Sequence, residues 1–574
     1  MDLYASQTLP SEFKYSLEDL KQNFTAHRGK KHSSIISVRR SIEQGIPIYL
    51  ESLYDNFPIK HGMAIIAKSS LPIILANWSL YLLNTVNLFN VGQMNDTVES
   101  GGFGVGMVLV QCTVYALMLS INQGLTVLGS HAFGAKEYYT VGLLYLRANL
   151  LHAILIVALL PFLFSAKSIL MFINISPEIA QTAETYILHL IPSFIGFFLY
   201  DSTKAYLLCL RKFDPIVYIQ VTTFILHIFW SEFFTNYLGL GVKGAAIARG
   251  ITDWSNFLLA LGYIKKYEYQ DPVFKMTWIE WTRETLNIKG LVEMVKYIVG
   301  LSSIYFIQQF TYYIFMMLAG QFNAVNLVAH TAMANTNSIH FCIPLGISLA
   351  TMTYISGALG EGSISKAKFF LKCGYYCILV SITVVISAFL LMKQIWISLF
   401  SSDRHVHAIL EQLFYIFIIG VVPWDSLQAL SASMLKSIGK QLETNIIIFT
   451  AYYLFAIPLA VYWGFAKNMQ TRGIWYAIAI SDITMFIFGS LTLWKTDWDA
   501  QMKEIKRRVA EEQGDELMEL RIESGKSSVM SESELKAALL KRKNMPERHG
   551  RIINELNLDR KEIMKLFAEN HPLN

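Results

Sequence analysis

Two short stretches of the chain place an acid where the surroundings are apolar. FLYDSTKAYLL (198–208) carries Asp201 and VPWDSLQALSAS (422–433) carries Asp425, and both stretches lie within long apolar runs. A charged side chain at the centre of a membrane helix costs about 2.5–3.5 kcal/mol on insertion scales, so such an acid usually has a partner or a task. The chemistry that we expect from an acid in this setting is the binding and release of a small cation.

The acids belong to a pattern that occurs twice in the chain. Four pairs of segments match in the same order, at separations of 226, 228, 229 and 224 residues: SHAFGAK (130–136) with SGALGEG (356–362), VGQMN (91–95) with AGQFN (319–323), KGAAIARGITD (243–253) with RGIWYAIAISD (472–482), and Asp201 with Asp425. The third pair also matches Asp253 with Asp482. The sequence therefore predicts an internal duplication.

The two acids of the first half have cations nearby. Lys204 follows Asp201 by three residues, and Arg249 precedes Asp253 by four residues. These spacings put each cation on the same helix face as its acid. We expect Asp201 and Asp253 to form intrahelical ion pairs that hold the first half together, with contact to a substrate as their lesser role.

The two acids of the second half have no such neighbours. The positions that match the two cations are Gln428 and Ile478, so Asp425 and Asp482 lack a local positive charge. A buried acid without a cation beside it can exchange a proton or bind a cation, which a coupling site requires. We predict Asp425 as the principal ion-coupling residue and Asp482 as the second; the alternative is a structural acid hydrogen-bonded across helices.

Composition sets the class of the protein. The chain has 574 residues, of which 53% are hydrophobic and only 16% charged, and its mean hydropathy is +0.38. In soluble domains about a quarter of all residues are charged, so these values indicate a membrane protein. The net charge of +5 gives no indication of a nucleic-acid partner. No nucleophile–base set or metal cluster is visible, so we do not expect an enzyme.

The chain contains about twelve apolar runs that are long enough to cross a bilayer. A spanning helix needs about 20 apolar residues. By that criterion the predicted spans are 62–92, 102–130, 143–165, 182–210, 216–238, 243–264, 292–320, 325–357, 367–392, 409–435, 444–464 and 472–494. We expect an all-α integral membrane protein whose two six-helix, pseudo-symmetric lobes enter the membrane in the same orientation and share a cavity.

Loop charges predict the orientation of these spans. The loops after the even-numbered spans carry Lys136, Arg211, Lys212, Lys265, Lys266, Lys366 and Lys440. Two of the opposite loops, MNDTVES and QFNAVN, contain no Lys or Arg. By the positive-inside rule the basic loops and both termini are cytoplasmic. The sequon at Asn95 lies on the other side, where glycosylation could reach it.

The predicted organisation has five parts: a cytoplasmic N-terminal tail (1–60), the first lobe (61–265), a cytoplasmic linker (266–290), the second lobe (291–495) and a charged cytoplasmic C-terminal tail (496–574). The N-terminal tail could form an amphipathic helix on the membrane surface. The C-terminal tail contains a serine cluster that a kinase could phosphorylate: Ser524, Ser527, Ser528, Ser531 and Ser533.

Several stretches together resemble one transporter family. GLTVLGSHAFGAKEYYTVGLLYLRA and its counterpart IPLGISLATMTYISGALGEGSISKAK look like the multidrug and toxic compound extrusion family. The stretch DSLQALSASMLKSIGKQLETNIIIFTAYYLFAIPLAVYWGF, followed by RGIWYAIAISD and KTDWDAQ, resembles its eukaryotic branch. The resemblance covers about residues 60–505. It implies a V-shaped cavity between two lobes and export of organic, often cationic, compounds by H⁺ or Na⁺ antiport.

The resemblance also bears on individual residues. Asp425 coincides with an acidic position in the tenth helix that the family uses for cation coupling. Members of the eukaryotic branch carry a glutamate in the seventh helix, where this chain has Gln308, which can hydrogen-bond a ligand but cannot release a proton. The predicted cavity residues are Trp78, Asp201, Asp253, Tyr305, Gln308, Tyr312, Trp424 and Gln428. For the tryptophans and tyrosines the alternative role is packing or contact with lipid.

The function predicted from the sequence is secondary active transport. We expect a monomeric, multi-pass protein of a plasma or vacuolar-type membrane that exports a small organic compound and needs no cofactor beyond its coupling ion, H⁺ or Na⁺. One alternative is a flippase for lipids or lipid-linked sugars from the same superfamily. Another is a channel or a non-transporting membrane receptor, which the internal duplication disfavours.

Overall fold

The computed structural model describes residues 57–94, 96–400 and 404–509, and these residues form helices and short connections without any strand. Twelve long helices cross the bundle: α1 (Ile59–Gly92), α2 (Thr97–Gly134), α3 (Tyr138–Phe164), α4 (Pro177–Cys209), α5 (Asp214–Tyr237), α6 (Gly241–Tyr267), α7 (Ile288–Phe322), α8 (Ala324–Glu361), α9 (Ile364–Phe400), α10 (Arg404–Ser437), α11 (Gln441–Ala466) and α12 (Thr471–Lys495). We call α1–α6 the first half and α7–α12 the second half.

The predicted spans correspond one to one to these helices. Eleven of the twelve helices in the described part of the chain are long and apolar enough to cross a membrane. The remaining one, α6, has the right length but carries Arg249 and Asp253 near its centre, with Lys265 and Lys266 at one end. The all-α, twelve-helix prediction is confirmed, and the helices extend up to about two turns beyond the apolar runs because their ends reach past the hydrocarbon.

Several helices contain wide π-type turns. Among these segments are Gln111–Tyr115 in α2, Ile416–Val421 in α10 and Thr450–Ala456 in α11. In α10 the wide turn directly precedes Pro423, which has no N–H to continue the normal ladder. Such turns often occur at functional sites, and this one places Asp425 in the first turn of the regular helix that follows.

Helix α1 joins the two halves. Toward its C-terminal end, Asn87 and Asn90 hydrogen-bond residues of α5. Near its N-terminal end, a Cβ added at Gly62 would collide with Phe369 and Cys373 of α9. Only glycine allows this close approach, so α1 belongs to the first half at one end and packs on the second half at the other.

The repeated motifs SHAFGAK and SGALGEG are where α2 and α8 cross. A Cβ at Gly134 would overlap the backbone carbonyl of Gly357, and a Cβ at Gly360 would overlap that of His131. His131 and Gly134 match Gly357 and Gly360 in the duplication, so the two contacts are related by the pseudo-symmetry. The repeat thus places a glycine at each of two equivalent points where backbone meets backbone.

This crossing lies on one side of the bundle, which we call the basic side because it holds Lys136, Arg211 and Lys366. Further contacts join the halves there. His131 Nε2 lies 2.9 Å from the carbonyl oxygen of Ser437, and Arg211 forms an ion pair with Glu361 at 3.6 Å. The halves are therefore held together at the basic side in this structure.

The chain continues past α12 as a helix over residues 498–509 that packs on the second half. Ile505 is 2% exposed and belongs to the core of that half, and the Arg508 guanidinium lies 5.5 Å from the ring of Tyr297. A hydrogen bond from Arg507 holds the pKa of Glu504 below its usual range. The predicted N-terminal amphipathic helix, the Asn95 sequon and the C-terminal serine cluster lie outside the described residues.

Candidate ion and substrate site

Asp425 is enclosed in the second half. It is 2% exposed, in the first turn of the regular part of α10. Its Oδ1 accepts a hydrogen bond of 2.9 Å from Nε2 of Gln428, one turn further along the same helix. Its Oδ2 has no hydrogen-bond partner among the described residues. A buried carboxylate oxygen without a partner is costly, so this atom is open to a proton or a cation.

Asp482 is the other buried acid in the described residues of the second half. It is 1% exposed on α12, which packs against α10, and the two carboxylates are within electrostatic reach of each other. Neither of its side-chain oxygens has a hydrogen-bond partner in the described part of the chain. Tyr312 of α7 and Tyr452 of α11, whose ring centroids are 6.4 Å apart, border the same space. Four helices thus enclose two acids.

The acids of the first half, in contrast, have partners. Asp201 forms an ion pair with Lys204, as the spacing predicts, and its Oδ2 accepts a hydrogen bond of 2.8 Å from Asn122 of α2. Within the described residues, by contrast, no Lys or Arg forms an ion pair with Asp425 or Asp482. The structure therefore shows the asymmetry that the sequence predicts: paired acids in the first half, unpaired acids in the second.

The second acid of the first half is also fully occupied. Arg249 donates from Nε to Asp253 Oδ2 at 2.9 Å, as expected, and from a terminal nitrogen to Oδ1 of Asn84 at 2.9 Å. Ser193 donates to the same carboxylate at 2.5 Å, and the ring of Tyr115 lies 5.8 Å from the guanidinium. Arg249 is thus a fixed cation at Asp253, in the place where a mobile cation could otherwise bind.

The structure corrects the register between α4 and α10. Both helices end in the same left-handed turn, at Arg211 (φ 58°) and Gly439 (φ 85°), with the same pattern of closing hydrogen bonds. That places the two helices 228 residues apart, whereas Asp201 and Asp425 are 224 residues apart. Asp425 therefore lies about one helical turn farther from the basic side than Asp201, and Ala432 rather than Gln428 matches Lys204. The absence of a cation at that position is unaffected.

Three predicted cavity residues lie at spacings of three and four on α7: Tyr305, Gln308 and Tyr312. The hydroxyl of Tyr305 accepts a hydrogen bond of 2.7 Å from Nε2 of Gln123 on α2, so this tyrosine faces the first half. Gln308 is partly buried one turn away. Tyr312 faces the two acids. One face of α7 therefore runs from the boundary between the halves to the acid pair.

The predicted tryptophans are not at the acid pair. Trp78 donates from Nε1 to the carbonyl oxygen of Ile339 at 2.9 Å, which links α1 to α8. Trp424 packs on Phe486 of α12, with ring centroids 5.9 Å apart. The structure brings Asp425, Asp482, Gln428 and Tyr312 together, and it places Trp78, Trp424, Asp201 and Asp253 elsewhere.

Some polar residues near the site were not predicted. Tyr452 borders the acids from α11, where its sequence neighbours look like an ordinary apolar span. Lys436 of α10 is 9% exposed, and its Nζ donates to Oε1 of Gln123 at 3.2 Å. Its spacing of eleven residues from Asp425 was a readable signal, since eleven residues make about three helical turns and return to the same face.

Several asparagines of α1 form hydrogen bonds to other helices. Asn84 accepts from Arg249, and Asn87 pairs with His227 and Ser231. The buried amide nitrogen of Asn77 has no hydrogen-bond partner among the described residues.

Comparison with known proteins agrees with the duplicated fold. The MatE family model matches twice, at residues 72–231 and 302–462, which together make up more than half of the chain. A relative from Arabidopsis thaliana, Protein DETOXIFICATION 16, is 26% identical, over 76% of this chain and 89% of its own. Multidrug and toxin extrusion protein 1 of Xenopus tropicalis is 25% identical, over 77% of this chain and 75% of its own.

Solved structures show the same fold. The eukaryotic MATE transporter AtDTX14 superposes with a TM-score of 0.72 at 20% identity, covering 79% of this chain and 99% of that one. A MATE transporter of Vibrio cholerae gives a TM-score of 0.69 at 15% identity, covering 77% of this chain and 99% of that one.

Taken together, two matched six-helix lobes and these similarities define a multi-pass integral membrane transporter, not an enzyme. The chain belongs to the MatE family, the multidrug and toxic compound extrusion transporters, and its relatives include members from plants and vertebrates. The family and the eukaryotic branch predicted from the sequence are confirmed.

Proposed function

We propose that this protein is a secondary antiporter that exports an organic compound, cationic or amphiphilic, in exchange for H⁺, with Na⁺ as the alternative ion. The observation that carries the proposal is the pair Asp425 and Asp482. Both acids are at least 98% buried, and together they have three carboxylate oxygens without a hydrogen-bond partner in the described residues. An enclosed acid pair of this kind gains stability by accepting a positive ion.

Antiport follows if the ion and the substrate compensate for the same negative charge. When both acids are ionised, the site can bind either a proton or a cationic substrate. Binding of one partly neutralises the acids and so weakens the binding of the other. Protonation would then stabilise one arrangement of the two halves and substrate the other. We assign Asp425 as the principal coupling residue and Asp482 as its partner, since the two buried carboxylates interact electrostatically and lie on helices that pack together.

We propose the cavity face of α7 as the route by which substrate approaches the acids. Tyr305, Gln308 and Tyr312 offer aromatic rings and an amide along that face, and aromatic rings attract organic cations. Gln308 contributes hydrogen bonds only. Proton exchange therefore depends on α10 and α12 in this chain and not on α7.

We also propose that the basic side faces the cytoplasm and that the protein resides in a plasma or vacuolar-type membrane. The excess of Lys and Arg in the loops on that side supports this orientation. Because the halves are joined on the basic side, the structure corresponds to a state closed toward the cytoplasm. Export then requires a second state in which the α2–α8 crossing separates.

The rival function is lipid or lipid-linked sugar flipping. A flippase for anionic headgroups needs a strongly cationic cavity, whereas Asp425 and Asp482 have no ion-pair partner among the described residues. A channel or receptor function would give no role to the duplication or to an enclosed acid pair. We therefore favour antiport of a cation-bearing compound.

The test is transport by purified protein in proteoliposomes. A panel of organic cations is loaded, and efflux is followed under an imposed pH gradient, an imposed Na⁺ gradient, or none. We expect efflux of at least one cation to accelerate under the pH gradient and to stop when a protonophore is added. If neither gradient drives any cation while a fluorescent lipid is translocated, the flippase function replaces ours.

A further inference from the structure

Intramembrane charges are distributed unequally between the halves, and this includes a cation. In the first half Asp201 pairs with Lys204, and Asp253 with Arg249. In the second half Lys436, like the two acids there, has no ion-pair partner among the described residues. The register of α4 and α10 matches Lys436 with Leu208, so the first half has no equivalent cation.

Lys436 is buried where the halves meet. The residue is 9% exposed near the end of α10. The one hydrogen bond recorded for its ammonium group in the described structure runs to the neutral amide oxygen of Gln123, across the boundary between the halves, at 3.2 Å. An ammonium ion has three donors, and a buried charge is normally paired with an opposite charge, so a single neutral acceptor leaves it poorly compensated.

Lys436 and Asp425 lie on one face of the same regular helix. Eleven residues separate them, which is close to three full turns and about 16 Å of rise. Beside this stretch, apolar side chains of α10, α11 and α12, among them Ala432, Ile447 and Met485, line a void of about 10 Å³, which is room for one water in this closed state. An acid pair, an apolar wall and a lone cation thus follow one another along α10.

We propose that Lys436 is a second substrate subsite, which binds an anionic group, and that the preferred cargo is therefore an amphoteric organic compound carrying both a positive and a negative group. The proposal rests on the proposed function and specifies its substrate class. The positive group neutralises the Asp425–Asp482 pair, and a carboxylate or similar acid neutralises Lys436.

Gln123 gives this subsite a way to release its ligand. In the present structure the halves are joined at the basic side. Gln123 accepts a hydrogen bond from Lys436 and also donates one to Tyr305 at 2.7 Å. Separation of the halves on that side would break the Gln123–Lys436 bond, because the two residues belong to different halves. Lys436 is then free to bind an anionic group from that side, and on closure Gln123 takes its place.

The experiment compares two probes that differ in one group. Decyl-triethylammonium is a simple cation, and ω-triethylammonio-decanoate carries the same cation with a carboxylate at the far end of the chain. Efflux of each is measured in proteoliposomes under a pH gradient, for the wild type, Lys436→Gln, Lys436→Arg and Lys440→Gln. Lys440 is the matched control, since it lies one turn further along the chain and pairs with Glu443 at 2.8 Å.

We expect the wild type to prefer the amphoteric probe, Lys436→Gln to lower the ratio of the two rates at least about tenfold, and Lys436→Arg and Lys440→Gln to keep it. An unchanged ratio in Lys436→Gln, or a wild type without preference for the amphoteric probe, would overturn the subsite. If neither probe responds to the gradient in the wild type, the proposed antiport itself fails, which is a different result.

Discussion

Individual side chains decide where charge can be exchanged in this protein. The same residue type, aspartate, occurs four times near the centres of membrane helices, and its surroundings give it two different roles. Where Lys204 and Arg249 are within reach, the acid is held as an ion pair. Where no Lys or Arg among the described residues pairs with the acid, as at Asp425 and Asp482, the acid can take up an ion. Local sequence spacing predicted this difference, because partners three or four residues apart share a helix face.

Asp425→Asn is expected to abolish the response of substrate efflux to a pH gradient. Asparagine keeps the shape and the hydrogen bond with Gln428, but it cannot accept a proton. We expect Asp482→Asn to weaken the response without abolishing it. Efflux rates at matched protein density measure the effect, and Asp499→Asn, an exposed acid outside the membrane helices, is the control. A normal pH response in both Asp425→Asn and Asp482→Asn would refute the coupling role.

Asp253→Asn is expected to affect folding rather than coupling. It leaves Arg249 as a buried charge without its acid, and breaking a buried pair typically costs about 3–5 kcal/mol. The double variant Arg249→Met with Asp253→Leu removes both charges and should be more stable than the single one. Thermal unfolding of the purified protein in detergent gives the comparison. Equal melting temperatures for the single and double variants would show that this pair does not act as a unit.

At the scale of helices, the sequence predicted the number of membrane helices better than it predicted how the helices of one half align with those of the other. Twelve apolar runs gave twelve helices because a bilayer leaves few other structures available to such segments. The pairing of Asp201 with Asp425 was one turn out, because sequence matching aligned the two Asp-Ser dipeptides, whereas the turns at Arg211 and Gly439 that end α4 and α10 set the register. Tyr452, within the wide turn of α11, was missed because its position beside the acids depends on how helices pack.

The glycines of the α2–α8 crossing give a prediction at this scale. Gly134→Val adds a side chain where the backbone of Gly357 lies, so it should disfavour the state in which the halves are joined at the basic side. A cysteine placed at Ser356, which is fully buried, reports on this state in a background without native cysteines. We expect faster labelling by a hydrophilic thiol reagent from the basic side.

Gly104→Val is the matched control for that experiment. Gly104 lies on the same helix, and no atom is within 4 Å of a Cβ at that position. Its variant should label at the wild-type rate. Equal acceleration in both variants would mean that valine perturbs α2 generally, and no acceleration in Gly134→Val would mean that the crossing does not control access.

The whole molecule is a duplicated bundle in which Asp425, Asp482 and Lys436, all in the second half, have no ion-pair partner among the described residues. The repeat spacing revealed the duplication, and the two matches of the family model agree with it. The sequence could not reveal which contacts cross the boundary between the halves, such as Gln123 with Lys436 and Tyr305, because residues more than 180 positions apart meet there. The unequal halves suggest that the first serves as a rigid support and the second as the exchange site.

Orientation is a prediction at the scale of the whole molecule. The excess of positive charge in the loops predicts that the basic side and both termini are cytoplasmic. Single cysteines at Lys136 and at Val325, near opposite ends of the bundle, should label differently when a membrane-impermeant reagent is added to intact cells. We expect the Val325→Cys protein to react from outside and the Lys136→Cys protein only after permeabilisation; the reverse pattern would invert our direction of transport.

The central claim is that a proton and the substrate compete for one acid pair, and proton release on substrate binding tests it most directly. Purified protein in lightly buffered detergent solution, near neutral pH, is mixed with a transported organic cation while a pH indicator is followed. Our account predicts that the wild type releases protons in proportion to the substrate bound and that Asp425→Asn binds substrate without releasing them. Substrate binding with no proton release by the wild type, or the same release by Asp425→Asn, would contradict it.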